Sequence, residues 1–560
     1  MGLASSWSVA LLGLEGRIVE VEADIGAGLP RTVMVGLPDT ALYESRDRCK
    51  AAIGNSGHRW PDRLVTINLS PAALPKAGAH YDLAVVAAVL AADDVLPEAQ
   101  LAGTVFLGEL SLDGRLRPVR GLLPALLAAS RAGFRRAVVP QQQAGEAALV
   151  GELEVFGIAT LTQLIALFRG EPVPEAAPDE PHPESAAVED GEPLDLFDVV
   201  GQPEARWALE VAAAGRHHLG MLGPPGVGKT MLAERLPGLL PRLSVAEALE
   251  VSALHSLAGR PLESGLIRVP PYADPHHSAS MVSIVGGGPR IAKPGAVSLA
   301  HRGVLFLDEA PEFPSKVLDS LRTPLESGTV SIWRSENQTR YPARFQLVLA
   351  SNPCPCGLAA TPGARCRCAP QAIRRYREKV SEPIRDRLDL QITLLPIRRA
   401  LLDAALAQRE TTAAVAERVQ EARERQRHRL RGTGWSCNGE VAGPYLRGRL
   451  PLPDGTELID RASESGRLSA RGVDKVLRVA WTLADLDGCD VPNRAHVRTA
   501  LALRSGDPSA DGRAVSSELV ESWLDTPAVL PGGISAAEDV ATEPGAAFDE
   551  SWAPVEEALP

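Results

Sequence analysis

The first 170 residues alternate short apolar runs with turn-forming residues, a pattern typical of mixed α/β structure. Three of the runs predict strands, at 33–37, 64–69 and 104–108. Between the runs lie longer stretches with helical character, at 83–92 and 122–132. We therefore predict a mixed α/β domain over residues 1–170.

A second alternation of strands and helices occupies residues 193–399. Apolar segments predict buried strands at 219–222, 304–307 and 345–350. From 400 to 504 the chain has a wholly helical pattern. The fold class predicted for the whole chain is α/β, followed by an all-α C-terminal region.

Two acidic segments without a hydrophobic period interrupt this pattern, a linker at 171–192 and a tail at 505–560. The formal net charge of the chain is −12, but residues 171–198 contain ten acidic and no basic residues. The tail contains twelve acidic residues and one basic residue, so the rest of the chain carries +9. A mildly basic body is compatible with a polyanionic partner and equally with ordinary surface charge.

Several features of the sequence favour the cytoplasm. No apolar run approaches the ~18–20 residues of a spanning helix. The N-terminus lacks the basic region and the cleavage site of a secretory signal. An odd number of cysteines, seven in this chain, argues against a disulfide framework. We therefore predict a cytoplasmic protein with no membrane partner.

A complete phosphate-binding motif, G-x-x-x-x-G-K-[ST], lies between a predicted strand and a predicted helix. Its residues are Gly223, Pro224, Pro225, Gly226, Val227, Gly228, Lys229 and Thr230. The backbone N–H groups of such a loop and the following helix N-terminus bind phosphate, and the lysine reaches the β- and γ-phosphates. The hydroxyl of Thr230 is a candidate ligand of Mg²⁺. The motif predicts that ATP and Mg²⁺ are cofactors.

Two carboxylates, Asp308 and Glu309, follow the second apolar strand of this region. We predict that Asp308 belongs to the Mg²⁺ shell and that Glu309 orients and deprotonates the attacking water. The third strand ends at Asn352, whose amide is a candidate contact to the γ-phosphate or the water. A catalytic base beside the metal ligand favours hydrolysis over nucleotide sensing.

Four cysteines on a turn-rich stretch, Cys354, Cys356, Cys366 and Cys368, suit tetrahedral Zn²⁺. A site with four thiolate ligands leaves no open position, so this zinc would be structural. The C-x-C spacing is tighter than the usual C-x-x-C. Reduced thiols and disulfides therefore stay open as alternatives.

Further motifs flank the nucleotide residues, and others lie in the first domain. They include Phe197-Asp198-Val199-Val200-Gly201-Gln202, Pro275-His276-His277-Ser278, Leu299-Ala300-His301-Arg302-Gly303, Asn352-Pro353-Cys354-Pro355-Cys356-Gly357, Asn68-Leu69-Ser70-Pro71 and Pro75-Lys76-Ala77-Gly78. With the phosphate-binding loop, they resemble the YifB/ComM family of magnesium-chelatase-like AAA+ ATPases. The resemblance spans about 1–505, except for the linker.

The resemblance implies three folded parts. Residues 1–170 are expected to be a Lon-protease-like domain, 193–399 an AAA+ core with a parallel sheet and a Cys-rich loop at 354–368, and 400–504 a helical lid. Lon-type proteases carry a nucleophilic Ser shortly after a Lys-x-Gly segment, where this chain has His80. We therefore expect the first domain to be inactive as a protease.

The resemblance also assigns roles to two arginines. Arg387 matches the arginine that reaches into the ATP site of a neighbouring subunit, and Arg471 matches the second sensor of the helical lid. Residues 327–344 correspond to a hairpin that projects toward the pore in related hexamers. An arginine that acts in trans requires a ring, so the resemblance implies a homohexamer.

Three classes of function remain for such a motor. The family resemblance favours a ring-shaped DNA motor for branch migration or unwinding of single-stranded or branched DNA. A protein-remodelling ATPase with a Lon-like adaptor domain and a magnesium-chelatase-type motor for metal insertion are the alternatives. Basic residues favour DNA, namely Arg334 and Arg340 in the hairpin, Arg374, Arg375 and Arg377, and the run Arg423, Arg425, Arg427, Arg429 and Arg431. A solvated helix is the alternative for the last run.

Overall fold

Two β-sheets organise the part of the chain that our computed structural model describes. The described residues are 2–36, 40–74, 76, 78–175, 194–262, 265–288, 292–334, 337–359, 365–396 and 409–505. Most of the predicted acidic linker, the tail beyond Ser505 and the boundary predicted at 399/400 lie outside these ranges. The described residues group into one compact unit, so the division into separate domains stays a prediction.

The N-terminal region folds around a mixed sheet. Its strands are β1 Gly2–Leu12, β2 Glu15–Gly26, β3 Arg31–Val35, β4 Leu64–Ser70, β5 Thr104–Phe106, β6 Glu109–Leu110, β7 Leu116–Arg117, β8 Arg136–Pro140 and β9 Glu154–Ile158. Seven of them form one sheet in the order β3-β4-β2-β1-β5-β8-β9, with an antiparallel β1–β2 hairpin, while β6 and β7 pair separately. Strand β4 covers the apolar run predicted as a strand at 64–69. Its side chains alternate along the strand, since Val65, Ile67 and Leu69 are buried and their neighbours are less so.

Helices cover this sheet and confirm the mixed α/β prediction. They are α1 Thr40–Asn55, α2 Asp82–Ala92, α3 Glu98–Leu101, α4 Leu122–Arg131, α5 Ala144–Ala148 and α6 Leu161–Arg169. Every residue of α2 is buried. The carboxylate of Asp82 at its start accepts hydrogen bonds from Arg48 and from the Leu110 amide, while burial raises its pKa to about 6.

The core has a second sheet. The strands of this region are β10 Leu219–Leu222, β11 Tyr272–Ala273, β12 Gly286–Gly287, β13 Lys293–Pro294, β14 Val304–Leu307, β15 Thr329–Arg334, β16 Asn337–Pro342, β17 Gln346–Ser351 and β18 Leu390–Thr393. Five of them form a parallel sheet in the order β11-β14-β17-β10-β18. Continuous apolar runs such as β14 suit strands that are buried on both faces. The predicted parallel sheet and the hairpin, formed by β15 and β16, are confirmed.

Helices complete the core and form the C-terminal region. They are α7 Pro203–Gly215, α8 Lys229–Leu239, α9 Val245–Ala258, α10 Met281–Val285, α11 Ala296–Leu299, α12 Ser315–Ser320, α13 Arg322–Ser327, α14 Pro370–Glu378, α15 Glu382–Arg385, α16 Thr412–Arg429, α17 Gly443–Gly448, α18 Thr456–Glu464, α19 Ala470–Leu486 and α20 Arg494–Ser505. Residues 409–505 contain helices and turns but no strand, as predicted. Among the described helices, none is both long and apolar enough to cross a membrane.

The arginine run of α16 has structural contacts that its sequence did not predict. Arg423 is buried and donates to the carbonyl of Ala213. Arg429 pairs with the buried carboxylate of Asp485, and Arg425 donates to the carbonyl of the same residue. Arg423 and Arg429 therefore hold helices together, whereas Arg425 and Arg427 are exposed, so the run does not form a one-sided stripe.

Helices α4 and α9 join the N-terminal region to the core. The Gly121 amide donates to the carbonyl of Ser256 at 3.0 Å. The hydroxyl of Ser256 donates to Glu146 at 2.5 Å, and burial raises the pKa of that carboxyl group. Leu14, in the turn between β1 and β2, packs against α9 and the hairpin. The N-terminal region is therefore packed directly on the region of the parallel sheet.

Candidate functional site

The residues predicted to bind the nucleotide meet at the carboxyl ends of the strands of the parallel sheet. The phosphate-binding loop follows β10, Asp308 and Glu309 follow β14, and Asn352 follows β17. These three strands are adjacent and parallel, so their carboxyl ends lie side by side. Crevices outside the carboxyl ends of such strands are the usual ligand sites of open α/β sheets.

The phosphate-binding loop has the backbone that the motif requires. Gly226 and Gly228 adopt φ values of 79° and 94°, a region that favours glycine. A Cβ added at either position would meet no atom within 4 Å, so the space beside both glycines is open. Helix α8 begins at Lys229, and its N-terminal N–H groups follow directly on this loop. The loop therefore fits a phosphate chain.

Lys229 lies inside this loop. Its Nζ donates to the carbonyls of Gly223 and Pro224 at 2.7 and 3.0 Å, and to Oδ1 of Asn352 at 3.1 Å. Burial lowers the pKa of Lys229, while the nearby carboxylates of Asp308 and Glu309 oppose that shift. A phosphate would provide a charged acceptor in place of these neutral ones.

The candidate magnesium ligands are in contact with each other. Oγ1 of Thr230 donates to Oδ2 of Asp308 at 2.9 Å. A hydroxyl and a carboxylate are oxygen ligands of the kind that Mg²⁺ prefers, with phosphate and water completing the shell. The residues therefore fit Mg²⁺, which would neutralise charge on the phosphates when bound.

Glu309 is held beside the metal ligand. Its backbone has φ 50°, in the left-handed region, and its amide donates to Oδ1 of Asp308 at 2.8 Å. The carboxylate is half-exposed, and its Oε2 lies 3.7 Å from Nδ1 of His277. The rings of His276 and His277 lie 4.0 Å apart. The position of His277 was not predicted, because it depends on how the loop after β11 folds back.

A second residue that the sequence did not single out contacts Asn352. Tyr376 is the buried residue of α14, and its hydroxyl interacts with the side chains of Asn352 and Glu312. Burial raises the pKa of Tyr376 to about 12, with help from the carboxylates of Glu312 and Glu309. A single aromatic residue among the arginines of this stretch was the available signal in the sequence.

Arg387 and Arg471 lie together near the amino ends of the strands, at the opposite end from the phosphate-binding loop. Arg387 precedes β18, whose first residue pairs with the first residue of β10, whereas the phosphate-binding loop follows the last residue of β10. Both arginines contact the carboxylate of Glu326, Arg471 at 3.4 Å. Neither makes a hydrogen bond or ion pair with the described loop residues 223–230. The structure therefore brings these two residues together but separates them from their own nucleotide site.

The four cysteines form a compact cluster. Their Sγ atoms all lie within 4.8 Å of one another, and the Sγ of Cys354 is 3.3 Å from that of Cys356 and 3.8 Å from that of Cys366. Tetrahedral zinc with Zn–S bonds of ~2.3 Å separates its sulfurs by about 3.8 Å. All four are free thiols, and hydrogen bonds from the Leu358 amide and Cys354 lower the pKa of Cys356 to about 6. The donor set fits structural Zn²⁺.

The cysteine loop also touches the nucleotide site. Gly357 has φ 76°, and a Cβ there would lie 2.5 Å from Cδ of Pro225 in the phosphate-binding loop. Cys354 is only two residues from Asn352. Any change in the shape of this loop would therefore reach two walls of the site.

Three protein-family profiles match the chain. Residues 195–401 match a profile described as "Magnesium chelatase, subunit ChlI", and 21–143 match "Subunit ChlI of Mg-chelatase". Residues 409–504 match "Magnesium chelatase, subunit ChlI C-terminal". The three matches together cover part of the N-terminal sheet, the whole parallel sheet and the helical region.

Full-length relatives show the same similarity. An uncharacterized protein of Mycobacterium tuberculosis is 51% identical over 510 residues, which cover 90% of this chain and 99% of the relative. Competence protein ComM of Haemophilus influenzae is 40% identical over 508 residues, covering 90% and 98%. The uncharacterized protein YifB of Escherichia coli is 40% identical over 509 residues, again covering 90% and 98%.

Proposed function

The chain belongs to the YifB/ComM family of magnesium-chelatase-like AAA+ ATPases. From this premise we propose that it is a hexameric, ring-forming motor that couples ATP hydrolysis to DNA remodelling in the cytoplasm. The remodelling is branch migration or unwinding, in recombination or in natural transformation. The similar Haemophilus protein is named for competence, which supports the second setting. Glu309 is the base, Lys229 and Thr230 hold ATP and Mg²⁺, and Asn352 senses the γ-phosphate.

One observation carries the DNA part of this proposal, the exposed ring of Trp333 on the hairpin. Its side chain is 74% exposed, although large apolar residues usually lose most of their surface on folding. The buried ring of Tyr341, whose hydroxyl donates to the Ala292 carbonyl, anchors the base of the same hairpin. Bases stack on such exposed aromatic side chains without sequence preference, which suits a motor that moves along a strand.

We expect DNA to stimulate ATP turnover and its binding to weaken steeply with salt. Each phosphate neutralised by Lys or Arg releases counterions, so log K falls linearly with log salt concentration. Binding through backbone and stacking contacts should also be nearly independent of sequence. The test is the ATPase rate without DNA, with single-stranded DNA and with a four-way junction, at two salt concentrations. A rate that ignores DNA at low salt but responds to an unfolded protein contradicts the proposal.

Trp333→Ala should weaken binding of single-stranded DNA by about 5- to 150-fold, since a stacked base contributes ~1–3 kcal/mol by alanine substitution. Fluorescence anisotropy with labelled oligonucleotides of two unrelated sequences measures the change. Leu29→Ala is the matched control, because Leu29 is also exposed but lies in the N-terminal region. Equal affinities for the Trp333 variant and the parent would remove the hairpin from the DNA path.

We also propose that the cysteine cluster holds one structural zinc per chain. Metal analysis of the untagged protein should give about one zinc, and Cys354→Ser with Cys366→Ser should release it, because a tetrahedral site needs all four ligands. Cys489→Ser, which changes a cysteine outside the cluster, should retain the metal. Metal-free protein purified under reducing conditions would identify the four residues as ordinary thiols.

A further inference from the structure

Helix α14 connects the cysteine loop to the nucleotide site. Its one buried residue is Tyr376, which is only 5% exposed, while the residues around it face outward. The helix follows Cys368 after a single intervening residue. A short helix anchored by one buried ring can shift as a unit when its outer face is bound.

The outer face of α14 and the adjoining cysteine loop are strongly basic. Residues 365–379 include six basic residues and one acidic residue. The exposed arginines of this stretch are Arg365, Arg367, Arg374, Arg375 and Arg377. We call them the α14 basic surface.

Most of this positive charge is not neutralised within the described chain. Arg374 pairs with Glu378 at 2.8 Å, but its side chain remains 81% exposed, so the pair contributes little. Arg365, Arg367 and Arg375 make no hydrogen bond or ion pair with the described residues. Uncompensated arginines concentrated on one face are the electrostatic footprint of a polyanion-binding surface.

A chain of polar side chains leads from this helix to the phosphate-binding loop. Lys229 donates to Oδ1 of Asn352 at 3.1 Å, and the Tyr376 hydroxyl interacts with the side chains of Asn352 and Glu312. Glu312 also accepts from Lys379, at the end of α14, at 3.5 Å. The Asn352 side chain therefore lies between the loop lysine and the buried tyrosine of α14.

A second contact couples the same helix to the backbone beside Asn352. Nε of Arg377 donates to the carbonyl of Pro353 at 3.3 Å. An arginine that also binds a phosphate would pull on this carbonyl. Movement of α14 thus reaches Asn352 through its side chain and through its neighbour.

We propose that the α14 basic surface binds the phosphate backbone of nucleic acid, and that Tyr376 is the positioning residue that transmits this binding to Asn352. The inference rests on the proposed DNA function and assigns its sensing surface. Binding displaces α14, the Tyr376 hydroxyl moves with it, and the Asn352 amide is set for hydrolysis. Guanidinium groups form charge-assisted hydrogen bonds with phosphate oxygens. An acidic protein surface is the alternative ligand, and the experiment distinguishes it from nucleic acid.

Neutral variants of two arginines test the surface. Arg374→Gln with Arg375→Gln should weaken single-stranded DNA binding at least tenfold and reduce the salt slope by about 1.4, from ~0.7 per phosphate contact. Arg131→Gln with Arg135→Gln is the matched control, since these exposed arginines lie in the N-terminal region. Loss of assembly in size-exclusion chromatography, with DNA affinity retained, would assign the surface to a neighbouring subunit and overturn the inference.

Tyr376→Phe tests the transmission, because it keeps the ring and removes only the hydroxyl. We expect DNA affinity within twofold of the parent, but at least a tenfold loss of the DNA-stimulated kcat with little change in the KM for ATP. A structural role alone would leave the ratio of stimulated to unstimulated rates unchanged. If DNA stimulates the ATPase of the parent, of the Arg374/Arg375 variant and of Tyr376→Phe by the same factor, this inference is wrong while the proposed DNA function stands. A parent that ignores DNA overturns the proposed function as well.

Discussion

Glu309→Gln should lower kcat for ATP by at least about 10²-fold while ATP remains bound, since a positioned general base contributes typically 10²–10⁴-fold. Glutamine keeps the size of the side chain and its ability to accept a hydrogen bond from water, but it cannot take the proton. The Asp308–Thr230 contact and the loop lysine do not depend on this carboxylate. Binding and chemistry should therefore separate.

The measurement pairs ATPase turnover with the affinity for a fluorescent ATP analogue. Lys229→Ala is the complementary variant, because it removes the cation that contacts the loop carbonyls and Asn352. We expect it to weaken nucleotide binding, whereas Glu309→Gln retains the nucleotide. Turnover near the parental rate in Glu309→Gln would show that another group is the base, and the loop histidine 3.7 Å away would become the next candidate.

The nucleotide site could be predicted from the sequence because the motifs that define it are local. Each of the three strands is a continuous apolar run, and the residues that matter follow directly after it. In a parallel sheet, such positions must converge at one edge. The loop, Asp308 and Asn352 could therefore be placed from the chain alone.

What the sequence did not predict depends on contacts between distant segments. Tyr376 comes near Asn352 only because α14 contacts the segment that follows β17, and His277 comes near Glu309 only because its loop folds back. Arg423 and Arg429 looked like surface charge, but carbonyl and carboxylate partners on other helices bury them. No periodicity or spacing rule includes such partners.

The residues at the two ends of the parallel strands indicate how subunits cooperate. The phosphate-binding loop lies at the carboxyl ends of the strands, and Arg387 lies at their amino ends. The two ends are four strand residues apart along β10 and β18. Arg471 shares the carboxylate of Glu326 with it. Arginines at the amino ends of the strands can contact a nucleotide bound at the carboxyl ends only if that nucleotide is bound by a second copy of the chain. Glu326 would then release them when the neighbour's phosphates replace its carboxylate.

Arg387→Ala should hydrolyse ATP of the order of 10³-fold more slowly, as expected for an arginine that stabilises charge on a transferring phosphate. Lys229→Ala should be inactive for a different reason, because it lacks the cation of the loop. Mixing the two variants should restore activity, since about one quarter of randomly assembled interfaces pair an intact loop with an intact arginine. Mixed assembly is verified by co-purification of differently tagged subunits.

Arg471→Ala should behave in the same way in this mixing experiment, because it lies at the same edge and shares the same carboxylate. Arg494→Ala is the matched control, since this arginine also belongs to the C-terminal helices but pairs with Glu457. It should retain parental turnover without mixing. Recovery for Arg387 but not for Arg471 would assign Arg471 to its own subunit's nucleotide. The C-terminal helices would then have to move from their position in this structure. No recovery for either variant, in rings shown to be mixed, would mean that neither arginine acts on a neighbour, and the argument for a ring from the two sheet edges would fall with it.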